Sequence, residues 1–521
     1  MSSRSWKKVI LGIIFLALSL FYTILFFQRV NFNDVTIFNI VHLKSLANIF
    51  SSPINFDYWS HTGSLINVFS PWLTILPGWI FVKINVLYGY VFYLLLITFL
   101  TFVSSYYFMN KFSKDTLESI LFSVIYTFSF NRFMLVFQNQ RLENYLVLMF
   151  LPMVYYGAFQ FYQNKGWQNL TWGLVLIGWT APYMALAVVA TLIPVFIMMI
   201  FLRKSHQWKY WGQLLLNTLK VAAFSLAAMA GFIGPLLFEQ LPTKMLQNPI
   251  RHFNYVNWFN GIGFTMMQKY LLLGISGLGL LLLAMVFLKS SFSYKVIMLE
   301  IIPLVCLVIA PLQIQYFDIS RVVPAFQSIL DLFIAIILSR IVILVFQEVP
   351  SIWKLVVIIL SIVGLSSVIY VKTNQIQATQ TLVNSSNVDY SKFVWNYHDQ
   401  ATKGQNKFLA NNRSAQVSFY THANDYWIQY YNPQSVELDL PVQLYSGNKV
   451  QLNNEPVKIK ASKRNTIQLH TNPGKNIIEI HVQYNWIAII SLLFSLVSLI
   501  ALGYCSLDRK TFKWKKLSEN G

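Results

Sequence analysis

Runs of about 20 consecutive apolar residues recur along this chain, and no other feature limits its fold so strongly. A segment of that length crosses a hydrocarbon core only as a helix, because each backbone N–H and C=O must find its partner within the segment itself. About twelve such runs can be marked off, at residues 9–28, 86–109, 116–131, 145–162, 170–186, 187–202, 214–237, 267–288, 295–312, 324–346, 353–371 and 485–505. The fifth and sixth are one stretch broken only by Ala181 and Pro182, where a missing proline N–H ends one helix and suits the start of another. Composition agrees, since 56% of the 521 residues are hydrophobic and only 11% are charged. A water-soluble chain has too little polar surface at that ratio to cover itself. The sequence therefore predicts a polytopic α-helical membrane protein of about twelve spans. Its first run follows MSSRSWKK as a signal peptide's would, but the apolar core is long and no small-x-small site follows, so an uncleaved spanning helix is expected.

A net charge of +20 would direct a soluble chain towards nucleic acid. Here the basic residues sit in short loops between apolar runs, where they orient helices and meet anionic headgroups, so membrane lipids and no nucleic acid are the expected partners. Alternate loops are the basic ones: Arg4, Lys7 and Lys8; Lys111 and Lys114; Lys165; Arg203, Lys204 and Lys209; Lys289 and Lys295; Arg340 and Lys354; and the tail DRKTFKWKK. The positive-inside rule then predicts both termini in the cytoplasm at the plasma membrane, with residues 30–85, 132–144, 238–266, 313–323 and 372–484 outside. The two cysteines, Cys306 and Cys505, supply no disulfide framework.

Two of the outer segments differ from plain loops. In the first, Ile37, Ile40, Val41, Ile49 and Phe50 recur at helical spacing with His42, Lys44 and Asn48 between them, which describes an interfacial helix capped by Asp34 or Thr36. FSPWLTILPGW follows, and Pro71 and Pro77 mark it as interfacial or re-entrant. In the second, apolar and polar residues alternate through Val436–Leu440, Val457–Ala461, Ile467–Leu469 and Ile478–Val482, separated by SGNK, NNEP and NPGK. That pattern predicts a small antiparallel β domain. The expected organisation is a transmembrane domain over 1–371 carrying the outer loop 30–85, a β-rich domain over 372–484, and a last span with a basic tail over 485–521.

This layout resembles the C-type (GT-C) membrane glycosyltransferases. More closely it is similar to the YfhO-like and 6-pyruvoyl-tetrahydropterin-synthase-related bacterial membrane proteins. The likeness is carried by NDVTIFNIVHLKSL, FSPWLTILPGW, IQYFDISRVVPAF, LPVQLYSGNKVQLNNEPVKI and NPGKNIIEI. The resemblance implies transfer of a sugar from a polyprenyl-phosphate donor to a cell-envelope glycan or lipid at the outer face, with the acid of the first outer loop as base or metal-orienting group. In this chain that acid is Asp34. Many relatives carry an acidic pair where this chain has Asn33 beside Asp34, and an aromatic residue before the arginine that corresponds to Arg321. These departures bear on a two-acid mechanism or one dependent on a divalent metal.

Such chemistry needs a base for the attacking hydroxyl, cations for the departing phosphate, and an apolar groove for the prenyl tail. Asp34 suits the first role; it would equally cap the interfacial helix. Arg321, then Arg141, with Arg132 and Arg251, are the outer-loop cations whose planar forks suit phosphate, although arginines there also snorkel to headgroups or pair with Glu143 and Asp318. His42, two turns along from Asp34, is an accessory candidate, as are Asn33, Asp318 and Glu143. No His, Cys or acidic cluster with ligand spacing predicts a dedicated metal site. Trp72, Trp79 and Trp258 fit an aromatic belt better than a sugar-stacking role. No Walker loop, GxGxxG turn or GxSxG elbow is present, which removes nucleotide-driven and serine-hydrolase readings. The rival readings are a transporter or flippase of a lipid-linked saccharide, and a non-catalytic relative acting as a scaffold.

Overall fold

Among the described residues the elements are helices up to Asn374 and strands from 409 to 482, before a last helix, in a computed structural model that describes residues 3–29, 34–202, 208–243, 298–299, 301–303, 305–306, 323–346, 348–376 and 407–518. The helices are α1 (Ser3–Arg29), α2 (Asp34–Ser45), α3 (Ile66–Phe69), α4 (Leu76–Ile84), α5 (Val86–Ser113), α6 (Thr116–Thr127), α7 (Phe130–Phe133) and α8 (Leu142–Val147). They continue as α9 (Leu151–Tyr162), α10 (Gln168–Gly178), α11 (Pro182–Leu202), α12 (Trp208–Thr243), α13 (Val323–Val345), α14 (Ser351–Asn374) and α15 (Trp486–Ser518).

Among the described residues seven helices are long and apolar enough to cross a membrane: Trp6–Gln28, Val86–Ser113, Thr116–Asn139, Trp208–Glu239, Pro324–Val345, Ile352–Asn374 and Trp486–Leu507. This is a membrane protein, and those seven fall on seven of the expected runs. The runs at 145–162 and 170–186 fold as shorter pieces instead. α9 has 12 residues and α10 has 11, so each covers roughly half of a bilayer core of about 30 Å. The stretch around Ala181 and Pro182 divides as the sequence predicts, with α10 ending at Gly178 and α11 opening on Pro182. The runs at 267–288 and 295–312 lie outside the described residues, apart from a few positions between 298 and 306.

Local chemistry sets the helix ends. Asn85 caps α5 by accepting from the Tyr88 N–H at 2.9 Å. Lys114 takes a left-handed conformation (φ 64°) after its last turn, and Asp115 then accepts from the N–H groups of Leu117 and Glu118 at 2.8 and 3.1 Å to start α6. Where α9 passes α10, Gly157 is required, because a Cβ there would lie 2.3 Å from the Leu170 nitrogen.

The strands are β1 (Leu409–Ala410), β2 (Arg413–Ser414), β3 (Ser418–His422), β4 (Asp425–Asn432), β5 (Glu437–Gln443), β6 (Asn448–Leu452), β7 (Glu455–Pro456), β8 (Lys460–Ala461), β9 (Thr466–His470) and β10 (Gly474–Val482). They form two antiparallel sheets, ordered β2-β1-β5-β9-β8 and β3-β4-β10-β6-β7. Leu438, Leu440 and Leu469 of one sheet share a core with Ile428, Ile478 and Ile480 of the other, which makes a β-sandwich. NNEP supplies the β6–β7 turn, with Asn453 and Asn454 both at positive φ (52° and 69°), the conformation a two-residue hairpin demands. Buried Asp439 holds Arg464 at 2.8 Å and fixes the β5–β9 side of the sandwich.

The sandwich does not hang free of the helices. Its core continues into the first loop, after α1, through Ile54, Phe56, Trp59, Leu65 and Ile66. Backbone bonds stitch the joint, from Phe56 N–H to the Ala423 carbonyl at 2.6 Å and from Gln443 N–H to the Thr62 carbonyl at 2.9 Å. The Tyr484 hydroxyl donates to the Ile49 carbonyl at 2.6 Å. At the top of α12, Glu239 accepts from the Ser446 hydroxyl and from Asn485 Nδ2. A shared core requires that the first loop and the sandwich lie on one side of the membrane.

Candidate functional site

The third membrane-length helix is irregular where it meets the first loop. It breaks at Phe128 and Ser129, resumes as α7, and winds into a π-helical turn over Met134–Asn139. Gln140 then adopts a left-handed conformation (φ 54°) that turns the chain into α8. π turns are uncommon and collect at functional positions.

The first two turns of α2 pack against this corner through polar groups. The Thr36 hydroxyl donates to the Gln140 side-chain oxygen. Asn39, one helical turn on, donates to the Gln140 carbonyl at 2.7 Å and to the Tyr90 hydroxyl at 3.1 Å. Tyr90 and Tyr145 join hydroxyl to hydroxyl at 2.9 Å, and Tyr183 donates to Asn144 Oδ1. These groups come from α2, α5, α8, α11 and the π-helical corner, so the network ties five segments together at the sandwich side of the bundle. All its members are buried or partly buried, and satisfied buried networks of this kind lock geometry.

A second strap closes over the same region. The Thr74 hydroxyl donates to the Trp179 carbonyl at 2.8 Å and accepts from Thr180 at 2.9 Å. The Trp72 and Trp179 rings meet edge to face at 5.8 Å. FSPWLTILPGW thus lies across the α10–α11 junction and turns into α4 at Leu76 with Pro77 in its first turn.

The expected site residues divide as follows. Asp34 is the first residue of α2, two positions before Thr36, and its side chain lies outside the described residues. Arg141 directly follows Gln140 at the start of α8 and is buried (7% exposed), and Glu143 stands half-buried in the first turn of α8. The fold therefore gathers the α2 start, Arg141 and Glu143 at one corner. Asn33, Arg251, Asp318 and Arg321 lie outside the described residues.

Arg132 is a correction. It belongs to α7 and not to a loop, because the helix runs on to Asn139 where the apolar run ends at 131. Fully buried, it donates to the Thr98 and Thr101 hydroxyls at 3.0 and 3.3 Å, and its guanidinium lies 5.7 Å from the Tyr22 ring centre. His42 also faces elsewhere. Its Nε2 sits 3.1 Å from Asn67 Oδ1, and burial lowers its pKa to about 4, so the ring is a neutral brace within the first loop. Burial likewise lowers the pKa of Lys44.

Asn39, Tyr90, Gln140, Asn144, Tyr145 and Tyr183 escaped the reading of the sequence. Their one linear signal is the polar run QNQRLEN between apolar flanks, matched by Thr36 and Asn39 three apart on α2. Among the described residues no three His, Cys, Asp or Glu side chains gather as metal ligands. No family model, no curated protein and no solved structure matches the chain.

Proposed function

We propose that this chain is a membrane glycosyltransferase that moves a sugar from a polyprenyl-phosphate donor to a cell-envelope glycan or lipid. The observation that supports it best is the polar clamp from Thr36 and Asn39 to Gln140, which sets the α2 start, with Asp34, beside the corner that carries Arg141. In the proposed reaction an acceptor hydroxyl attacks the anomeric carbon, and its proton passes to Asp34. The bond from that carbon to the phosphate oxygen breaks, and the lipid phosphate leaves with the electron pair. Arg141 is the described cation nearest that role, and Arg321 and Arg251 are its expected helpers. Pro77, exposed, and Trp79, partly exposed, in the first turn of α4 supply apolar surface of the kind a prenyl tail needs.

The GT-C architecture belongs to the same proposal. α12 ends and α13 begins on the sandwich side: Glu239 meets Ser446, and Asn131, on the half of its helix nearer the π turn, meets Ser328 at 3.1 Å while Arg340 meets Glu118 at 2.9 Å at the other end. The two apolar runs the sequence holds at 267–288 and 295–312 would bring the membrane-length helices from seven to nine, and the proposed twelve spans, with both termini cytoplasmic, also need the shorter α9, α10 and α11 to cross.

The test is Asp34→Asn in purified protein supplied with a labelled polyprenyl-phosphate sugar. Transfer at the wild-type rate with the fold intact overturns the assignment of the base. A separation of Asp34 and Arg321 side chains well beyond about 15 Å would overturn their pairing at one sugar-phosphate site.

One observation favours the transporter reading. Arg132 is fully buried inside one span, and Asp331 inside another has a carboxylate oxygen that is buried without a hydrogen-bond partner. Intramembrane charges of this kind mark transport paths. Movement of a lipid-linked saccharide across proteoliposomes, abolished by Arg132→Met and without any glycosidic bond made, would decide for it.

A further inference from the structure

The outer face of the sheet β3-β4-β10-β6-β7 has a composition that neither sandwich packing nor the joint with the first loop uses. Residues alternate strictly along β4: Tyr426, Ile428 and Tyr430 point into the core, while Trp427, Gln429 and Tyr431 point out. Register then builds rows across the face. One row runs Tyr420, Trp427, Glu479, Gln451, and the next runs Ser418, Gln429, Ile477. Tyr431 lies opposite Lys475 beyond them.

Tyr420 and Trp427 are 63% and 36% exposed, yet their rings stack on each other at 5.5 Å with 29° between planes. Tyr431, 72% exposed, follows on the same face of β4, roughly 13 Å along the strand from Trp427. Water-facing aromatic rings held flat by a sheet lose little entropy when a ligand covers them. Gln429 stands between Trp427 and Tyr431 on β4, and Glu479 and Gln451 continue the row beyond Trp427, where their donors and acceptors can meet hydroxyl groups.

We propose that this face binds a neutral glycan chain, with Trp427 and Tyr420 stacking on a sugar ring and the amides and Glu479 reading its hydroxyls. Charge decides the class of occupant. Lys449 and Lys475 are balanced by Asp425 and Glu479, Asp425 is engaged by His481, and Lys449 donates to Gln483. A surface built for nucleic acid or anionic lipid would carry an excess of cations, and one built to insert in a bilayer would not intersperse amides and a carboxylate among its rings. The near end of the face is continuous with the site loop, since the β3–β4 turn is tied to it by Ala423 N–H to Asp57 Oδ2 at 2.9 Å and Thr421 to His61 at 3.1 Å. That the bound glycan is the sugar acceptor rests on the transferase reading; the binding itself does not.

The experiment is isothermal titration of the full chain in detergent, without donor, with cellohexaose, maltohexaose and chitohexaose. At least one hexamer should bind wild type. Trp427→Ala should weaken that hexamer about tenfold, or roughly 1.4 kcal/mol, and Tyr431→Ala less. Both positions are exposed, so unchanged thermal unfolding verifies the fold. No binding by any hexamer, or equal binding by Trp427→Ala and wild type, overturns the proposal, as does a Trp427→Ala variant that changes only the oligomeric state. Asp34→Asn should bind the hexamer as wild type does, whatever it does to transfer, so the two proposals fail separately.

Discussion

Acid should loosen this protein through one imidazole. His42 is buried, and its tautomer is fixed by its neighbour: Asn67 Nδ2 donates to the Pro53 carbonyl at 3.0 Å, leaving Oδ1 to accept from His42 Nε2 at 3.1 Å. Burial lowers the pKa from 6.5 to about 4, while in the unfolded chain the ring titrates near 6.5. Between those values the unfolded state binds the extra proton, so stability is full above about pH 6.5 and is lost as pH falls towards about 4. The whole shift corresponds to about 3 kcal/mol, of which about 2 kcal/mol is gone by about pH 5. The measurement is thermal unfolding in detergent from about pH 8 to about pH 5, comparing wild type with His42→Gln, which keeps a donor for Asn67 but cannot titrate. All other groups are common to both proteins and cancel in the difference. The unfolding temperatures of the two should converge or cross as pH falls. A constant gap across that range would refute the assignment of a buried neutral His42.

Other substitutions probe the joints. Gly157→Ala drives a methyl against the Leu170 backbone at 2.3 Å and should cost about 1–3 kcal/mol in thermal unfolding by forcing α9 from α10. Arg464→Ala leaves Asp439 buried without its cation; a loss of about 3 kcal/mol is expected, read from unfolding of the sandwich. Gly63→Val meets Phe56 and Val442 at a position with φ 64°, so limited proteolysis should cut the loop–sandwich joint faster than in wild type. Thr36→Val removes the clamp on Gln140 and should slow sugar transfer about tenfold by misplacing the α2 start, with hexamer binding to the sandwich unchanged.

Much of this was legible in the strands and helices taken singly. The strands β5, β9 and β10 overlap the alternating runs at 436–440, 467–469 and 478–482; burial alternates along β10, whereas β5 is buried on both faces from Leu438 to Val442. β4 was not legible, since DYWIQYYN has aromatics on both faces and hides its period of two. The stretch at 457–459 alternates yet forms no strand, only β8 at its end. Arg132 read as a loop cation because hydropathy falls after residue 131, whereas the π turn carries the helix on to Asn139 and buries the arginine against the α5 hydroxyls.

By itself, the sequence determined the solvent this protein folds in and where the seven long helices and strands β5, β9 and β10 lie along the chain, because run length and periodicity are local properties that backbone hydrogen bonding enforces. Tertiary structure alone decided which polar groups meet: Thr36 and Asn39 find Gln140 across about a hundred residues, and Phe56 shares a core with Ile428 across several hundred. Contacts at such separations depend on how faces pack, and no window of sequence contains both partners.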